Sequence, residues 1–538
     1  MAMQTPSPLR PDGTLVPPER FNFVSDVLQT RAQATPDAVA VIGVGRSREV
    51  DTWSYGRMAQ ACGRVAAALV EHGVKRGDRV LIFMTRTPLW HVAMAACLHI
   101  GAIPVPCVTQ VSASEVRYRA QQSGARAAIA SAELTPRFEG WQAELEVRIA
   151  TGAVPGWLDL RALIERPVAA PPVASMPAET PALMYFTSGS SGLPKAVVHA
   201  ARGVYVRGWQ PWHQLGAGPG DVIWTTSDTG WTRAGSCLMF GAWTHGATAL
   251  IVEPQLDADE RVEMLRRHRV TIFGAVATEL RQIIAEAQPR PLPDLRWTLS
   301  AGEAMTAELS QRWKAFSGTP LVVGYGQTET PTSTLTDPEG EAVNGMIGRP
   351  MAGNPLTVLD ADGKAAAPGV VGEIAFAGDH PGLMLGYWQD GQVVRTFERD
   401  GWHMTGDTGS LDAQGNLFFV GRSDDIISSS GYRIGPTEVE NALTRHPAVL
   451  ECAVTASPDP MRGEVVKAFV ILRPGHAAGE RLTEELQAFV RQEIAPYKYP
   501  RRIEYVADLP RTSSGKISRR LLRDAEFARG ADRKGPQG

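Results

Sequence analysis

Apolar residues recur at helical spacing over residues 55–74 and again over 87–100, and the unbroken run Arg79-Val80-Leu81-Ile82-Phe83 between them has the length of a strand buried on both faces. The alternation returns later in the chain. Thr248-Ala249-Leu250-Ile251-Val252 predicts a strand, residues 260–268 a helix with one apolar stripe, and Val270-Thr271-Ile272-Phe273 another strand. Shorter runs at Leu183-Met184-Tyr185-Phe186, Trp297-Thr298-Leu299-Ser300 and Leu321-Val322-Val323 predict further strands. Strand and helix in alternation imply an α/β fold of layered sheets and helices, with parallel strands in its sheets. The nearest approach to a membrane span, residues 89–108, is interrupted by His91, His99, Gly101, Pro104 and Pro106, and reads as a buried helix running into a strand.

Two changes of pattern mark the organisation. Residues 165–181 are rich in proline and alanine, which excludes a continuous helix and predicts an exposed connector. After Gly421 the chain turns polar over residues 422–430, and the following hundred or so residues read as a compact α+β unit. The expected division is a large N-terminal domain at 1–421, a hinge at 422–426, a small α+β domain at 427–530 and a flexible tail at 531–538.

Composition narrows the function classes. A chain of 538 residues is more than one core serves, so two or more domains are expected. With 54 basic against 57 acidic residues and a net charge of -3, there is no overall field for holding nucleic acid or an anionic membrane. The five cysteines are odd in number, dispersed and free of any CxxC pair, which argues against a disulfide framework or a zinc site. Residues 1–23 lack the apolar run of a secretion signal, so the expected location is the cytosol.

The densest chemistry follows the strand at 183–186, where Thr187-Ser188-Gly189-Ser190-Ser191-Gly192-Leu193-Pro194-Lys195 opens into hydroxyl- and glycine-rich backbone ending in a lysine. Glycines admit close approach of main-chain amides, hydroxyls donate hydrogen bonds, and Lys195 adds a point charge, which suits phosphate. On composition alone a flexible turn is the commoner outcome. A Walker loop is excluded because Pro194 precedes Lys195, and Ser514-Gly515-Lys516-Ile517 fails the same pattern because Pro510 stands where the earlier glycine belongs.

Four further motifs follow in order: Tyr325-Gly326-Gln327-Thr328-Glu329, Thr405-Gly406-Asp407, Gly421-Arg422-Ser423-Asp424-Asp425 and Pro510-Arg511-Thr512-Ser513-Ser514-Gly515-Lys516. Together with the loop at 187–195 they resemble the adenylate-forming superfamily of acyl-CoA synthetases, nonribosomal adenylation domains and luciferases. Ser227-Asp228-Thr229-Gly230-Trp231 and the segment at 430–436 are most similar to medium-chain acyl-CoA synthetases, with acetyl-CoA synthetases next.

The resemblance implies ATP, Mg²⁺ and CoA as ligands, a carboxylic acid as substrate and a C-terminal domain that moves. It places Thr187, Ser188, Gly189, Ser190, Ser191, Gly192 and Lys195 on the ATP phosphates, and Gly302, Glu303 and Ala304 along the adenine pocket. In the next motif Gly324, Tyr325, Gly326, Gln327 and Thr328 would meet ATP, with Tyr325 on adenine, Thr328 on phosphate and Glu329 on the metal. Asp407 would accept both ribose hydroxyls, Arg422 would contact ribose and phosphate, Arg433 phosphate, and Asp424 would be the hinge. Ser430, Gly431 and Tyr432 would line the pantetheine tunnel of CoA, and Trp231 and Gly326 the acyl pocket. Acetate-specific enzymes carry Trp where Gly326 stands, so a larger acyl or aryl group is expected. Pro331 and Arg233 depart from the nearest pattern: relatives carry Gly at the former, and the latter puts a charge beside Trp231.

Lys516 would be the catalytic residue. The substrate carboxylate and the α-phosphate are both anions, so a cation must sit between them as they meet. At about 4 Å and an effective dielectric of about 20, such a charge is worth roughly 4 kcal/mol, or about three decades in rate. Acetylation of Lys516 would remove that charge. Two other functions fit parts of the pattern. An adenylation enzyme loading a carrier protein shares the motifs, although no carrier domain is attached and no acidic residue is obviously placed for an amino acid's ammonium group. A nucleotide-binding regulator without catalysis would keep the loop, but Lys516, Glu329 and Asp407 together argue for chemistry.

Overall fold

The computed structural model describes residues 9–10, 13–187, 193–303, 305–395, 398–423, 425–429, 432–459, 462–511 and 517–532, with backbone alone at 428, 432, 433 and 530–532. The chain is α/β, and its contacts divide it into two compact units. The larger takes Met1–Ala342, Ile347–Pro355 and Ala377–Trp402; the smaller takes Val343–Met346, Leu356–Phe376 and His403–Gly538. The unit holding the C-terminal residues therefore also takes in segments that precede residue 421 in sequence.

In the larger unit, a nine-stranded sheet runs in space through Arg349–Pro350, Thr334–Leu335, Leu321–Tyr325, Trp297–Ser300, Ile272–Gly274, Val222–Thr225, Thr248–Val252, Val39–Val44 and Val50–Ser54. Its centre is parallel and its edges antiparallel. A second sheet, Ile103–Pro106, Arg79–Phe83, Ala125–Ala130, Val147–Ala150 and Leu158–Asp159, is parallel throughout. Continuous apolar runs such as Thr248–Val252 suit strands covered on both faces by helices.

The predicted elements form: the strands Arg79–Phe83 and Thr248–Val252 keep their expected bounds, the strand expected at 270–273 is Ile272–Gly274, and the helix ends shift. The first helix is Tyr55–Glu71, stopped at Gly73, whose φ of 86° a side chain would strain. The later helix begins at Ala258, two residues before the periodicity, because Asp257 accepts from the Glu260 amide (2.8 Å) while Glu260 accepts from that of Asp257 (3.0 Å). The helix Pro88–Ile100 is buried from Leu89 onward, and each of its two histidines places Nε2 on a carbonyl: His91 on that of Leu238 at 2.9 Å, and His99 on that of Pro171 at 2.7 Å. Among the described residues no helix is long and apolar enough to cross a membrane. The connector at 165–181 is exposed or half-buried, as expected, except at Met176, and it is anchored rather than loose. Met176 is buried, the Ala174 amide donates to the His99 carbonyl (2.8 Å), and Asn22 Nδ2 donates to Ala174 O (2.9 Å), so its free main-chain groups are used to seat it on that helix. All five cysteines are buried, and burial pushes their thiols up, so they act as small apolar side chains.

A third, antiparallel sheet joins Pro181–Thr187, Lys195–Ala200, Gly386–Gln389 and Gln392–Val394. Thr187 pairs with Lys195, so the two ends of the hydroxyl-rich segment meet at the end of a hairpin.

The smaller unit contains most of a sheet with strands Leu356–Leu359, Gly372–Ala377, Trp402–Leu411 and Leu417–Arg422, its first and last pairs antiparallel. Another sheet, Tyr432–Ile434, Ile427–Ser429, Gly463–Leu472, Val449–Asp459 and Arg502–Tyr505, carries the helices Pro436–Leu443, Glu480–Glu493 and Arg519–Asp532. Two ion-paired clusters fasten the last helix. Arg519 Nε donates to Glu440 Oε1 at 2.8 Å, and Lys467 Nζ lies 2.6 Å from Glu526 and 2.7 Å from Glu504.

Candidate active site

The strand Lys195–Ala200 feeds directly into the helix Ala201–Trp209, which carries Arg202 and Arg207. Arg202 Nη1 donates to the carbonyls of Pro381 (2.6 Å) and Leu383 (3.0 Å). Arg207, only 5% exposed, places Nη2 at 2.9 Å from the Thr328 carbonyl, 3.3 Å from that of Thr330 and 3.1 Å from His199 Nε2. Burial pushes the Arg207 guanidinium down to about 10, with Tyr185 and Glu329 opposing. Burial first, and Arg207 next, hold His199 neutral and well below its usual range, so its ring can accept from the guanidinium.

The two loops held by this helix meet. The Met384 amide donates to the Glu329 carbonyl (2.9 Å), and Tyr387 Oη donates to Glu329 Oε1 (2.9 Å). Tyr387 pairs with Val197 across the third sheet, and its ring lies 5.3 Å from Lys195 Nζ. Two motifs more than a hundred residues apart, the lysine that closes the hydroxyl-rich hairpin and the acid past the Leu321–Tyr325 strand, thus share one tyrosine.

The turn itself is tight. Gln327 N donates to Thr330 Oγ1 (2.9 Å), and Tyr325, 8% exposed, ends its strand with its amide on Thr334 Oγ1 (3.1 Å). Gly324 pairs with Leu335, and Gly326 lies against the returning chain: a Cβ there would fall 2.6 Å from Pro331 O and 3.0 Å from Thr332 Cα. Glycine is required at 326 by this close approach. Gly302 has a φ of 84°, and Glu303 Oε2 accepts from the Thr278 amide (2.9 Å) and hydroxyl (3.0 Å), covering the N-terminal turn of the helix Ala277–Glu286. Trp231 is half-buried against the apolar cluster around the second sheet, preceded by Asp228, which accepts from the Gly230 amide at 2.9 Å. Arg233 donates to the Ala301 carbonyl at 2.7 Å.

In the smaller unit, Asp407 faces Arg422 across paired strands, Oδ1 to Nη1 3.0 Å, and is 5% exposed. Gly406 precedes it at a φ of 68°. Arg511 bridges Ile517, and the Ser518 amide donates to the Pro510 carbonyl (2.7 Å), which closes the base of the segment that holds Lys516. Lys516 itself, with Ser188, Gly189, Ser190, Ser191, Gly192, Ala304, Asp424, Ser430 and Gly431, lies outside the described residues, as do the side chains of Tyr432 and Arg433.

Motif reading passed over Arg202, His199, Arg207 and Tyr387. The available signal was a charge at 207 directly after the apolar stretch Val204-Tyr205-Val206.

A family model described as AMP-binding enzyme matches residues 28–388, and one described as AMP-binding enzyme C-terminal domain matches 438–516. The chain belongs to the AMP-binding enzyme family. It is 35% identical to the human mitochondrial acyl-coenzyme A synthetase ACSM5 over 96% of this chain and 92% of that protein. It also matches the solved anthranilate CoA ligase AuaEII in complex with anthranoyl-AMP (27% identity, TM-score 0.84, 96% and 99% of the two chains). A benzoate CoA ligase from Burkholderia xenovorans is similar too (29% identity, TM-score 0.81, 94% and 100%).

Proposed function

We propose that this protein is an AMP-forming acid–thiol ligase acting on a carboxylic acid larger than acetate: medium-chain, branched or aryl. The carboxylate attacks the α-phosphorus of ATP, pyrophosphate leaves, and the thiol of CoA then attacks the acyl carbon of the adenylate to give acyl-CoA and AMP. The observation that carries the reading is the Tyr387 bridge, which puts the Lys195 end of the hairpin and the Glu329 carboxylate in one place. A polyphosphate needs both a cationic, amide-rich cradle and an acid for its metal. Among the described residues no group of three or more His, Cys, Asp or Glu could hold a metal by itself. A single carboxylate fits Mg²⁺, which keeps water and phosphate oxygens as its other ligands and arrives with the nucleotide.

Lys516 neutralises the approaching anions in the first half-reaction. The C-terminal domain then turns about Asp424, withdrawing Lys516 and presenting Ser430, Gly431 and Tyr432 to pantetheine. Asp407 holds the ribose, with Arg422 and Arg433 on ribose and phosphate. The neighbourhood of Trp231 and Gly326 receives the acyl group. A cytosolic location is part of this proposal; the human relative is named as mitochondrial.

The test is a panel of carboxylic acids scored by pyrophosphate release, each with CoA, pantetheine or carrier proteins as acceptor. Turnover with a medium-chain or aryl acid and CoA supports the reading. Release only to carrier protein makes the enzyme a carrier loader, and ATP binding with no pyrophosphate exchange for any acid makes it a regulator.

A further inference from the structure

The helix Ala201–Trp209 carries a charge for which no motif accounts. Arg207 is buried, and its acceptors are two main-chain carbonyls and a neutral imidazole rather than a carboxylate in contact. Holding a cation there carries a desolvation cost that an apolar side chain of similar volume avoids and that Tyr185 and Glu329 offset only in part, so stability does not explain its presence.

Its acceptors flank one residue. Thr328 and Thr330 stand on either side of Glu329, and the same guanidinium nitrogen reaches both carbonyls, at 2.9 and 3.3 Å. The Glu329 carbonyl between them takes the Met384 amide at 2.9 Å. The carboxylate takes the Tyr387 hydroxyl at 2.9 Å. With the peptide units of three consecutive residues pinned, only the side-chain torsions of Glu329 remain, and the tyrosine restrains those. His199 Nε2 lies 3.1 Å from the same nitrogen.

We propose that Arg207 is a positioning residue for the metal–nucleotide complex: its guanidinium clamps the turn on both sides of Glu329 and so fixes where that carboxylate points. The inference rests on the reading of Glu329 as the metal-binding acid. Residues that orient a metal ligand contribute about 10- to 100-fold in metal affinity. Lysine keeps the charge at 207 but carries it on a compact ammonium at the end of a different stem, so it restores the clamp only in part.

The experiment is calorimetric titration of ATP into the full-length protein, once with excess Mg²⁺ and once with EDTA, for wild type, Arg207→Met, Arg207→Lys and Glu329→Gln. The readout is the ratio of the two affinities, which needs no turnover. The ratio is expected to fall about 10-fold or more in Arg207→Met and less in Arg207→Lys, with the EDTA affinity unchanged. A purely structural arginine lowers the melting temperature and leaves the ratio alone, which overturns the inference. A ratio lost in Glu329→Gln but kept in Arg207→Met also overturns it, while leaving Glu329 on the metal. A ratio kept in Glu329→Gln removes Glu329 from the metal and the inference with it. If Arg207→Met does not fold, Arg207→Lys decides on the same ratio.

Discussion

Replacing Gly326 by Trp, the residue that acetate-specific enzymes carry there, tests both the acyl reading and the geometry of the turn. A Cβ at 326 falls 2.6 Å from Pro331 O, which is 0.8 Å short of the 3.4 Å at which ordinary contact begins (3.4 − 2.6 = 0.8). The next atoms, Thr332 Cα at 3.0 Å and Pro331 C at 3.1 Å, are also main chain, so no side-chain rotation relieves the clash. Nor is the opposing chain loose. Pro331 O accepts from Ser333 Oγ at 2.9 Å, and the ring fills the space beside Gly382, where a Cβ would meet Pro331 Cγ at 2.7 Å. Overpacking of this kind costs about 1–3 kcal/mol, a factor of roughly 5 to 150 in the folded population. Pro331→Gly unlocks the torsion that holds this backbone in place. Gly326→Trp alone should therefore melt below wild type, and the double variant should recover part of the loss, with a coupling of at least about 0.5 kcal/mol. The assay is a melting series on the four proteins, followed by pyrophosphate release with acids from acetate to octanoate. Preference should move toward short acids in the double variant. A Gly326→Trp protein that melts with wild type refutes the packing argument, and unchanged chain-length preference in the double variant removes the reason for excluding acetate.

Lys516→Ala should abolish adenylate formation, by about three decades, while sparing thioester formation from a supplied acyl-adenylate; equal loss of both half-reactions contradicts its assignment. Asp407→Asn removes a buried, charge-assisted acceptor that also pairs with Arg422, and should raise the KM for ATP roughly 10- to 150-fold, since hydrogen bonds to charged groups are worth about 1.5–3 kcal/mol. A KM within twofold of wild type takes Asp407 off the ribose. Burial holds His91 and His380 down to about 4. Both are neutral in the fold and protonate near 6.5 when unfolded, so their stability contribution is full above pH 6.5 and declines as pH falls toward 4, by up to about 1.4 kcal/mol per unit for each. His91→Gln should flatten that acid limb in denaturation measurements between pH 7 and 5, because buried Nδ1 of His91 has no partner to receive a proton's hydrogen bond; an unchanged slope assigns the acid sensitivity elsewhere.

Much of the scaffold follows from local pattern. Arg79–Phe83 and Thr248–Val252 form strands with the bounds their apolar runs predict, because a short continuous run flanked by polar residues has few other ways to leave water. Helix ends shifted where a cap intervened, as at Asp257, whose side chain competes for amides that periodicity does not register. The connector at 165–181 was legible as non-helical and largely exposed, but its anchoring was not, since its partners are groups on a helix some seventy residues away.

By itself the sequence determined the identity and order of the candidate groups proposed to carry chemistry: the hydroxyl-rich loop, Glu329, Asp407 and Lys516, each read from a short motif through its own side chains. Tertiary structure decided what surrounds the described ones. That Arg207 spans the carbonyls around Glu329, that Tyr387 joins this acid to Lys195, that Glu303 caps a neighbouring helix and that Gly326 is a packing requirement all depend on segments separated by up to nearly two hundred residues. A buried donor is satisfied by whichever acceptor packing brings within about 3 Å, and main-chain carbonyls carry no residue identity to read in advance.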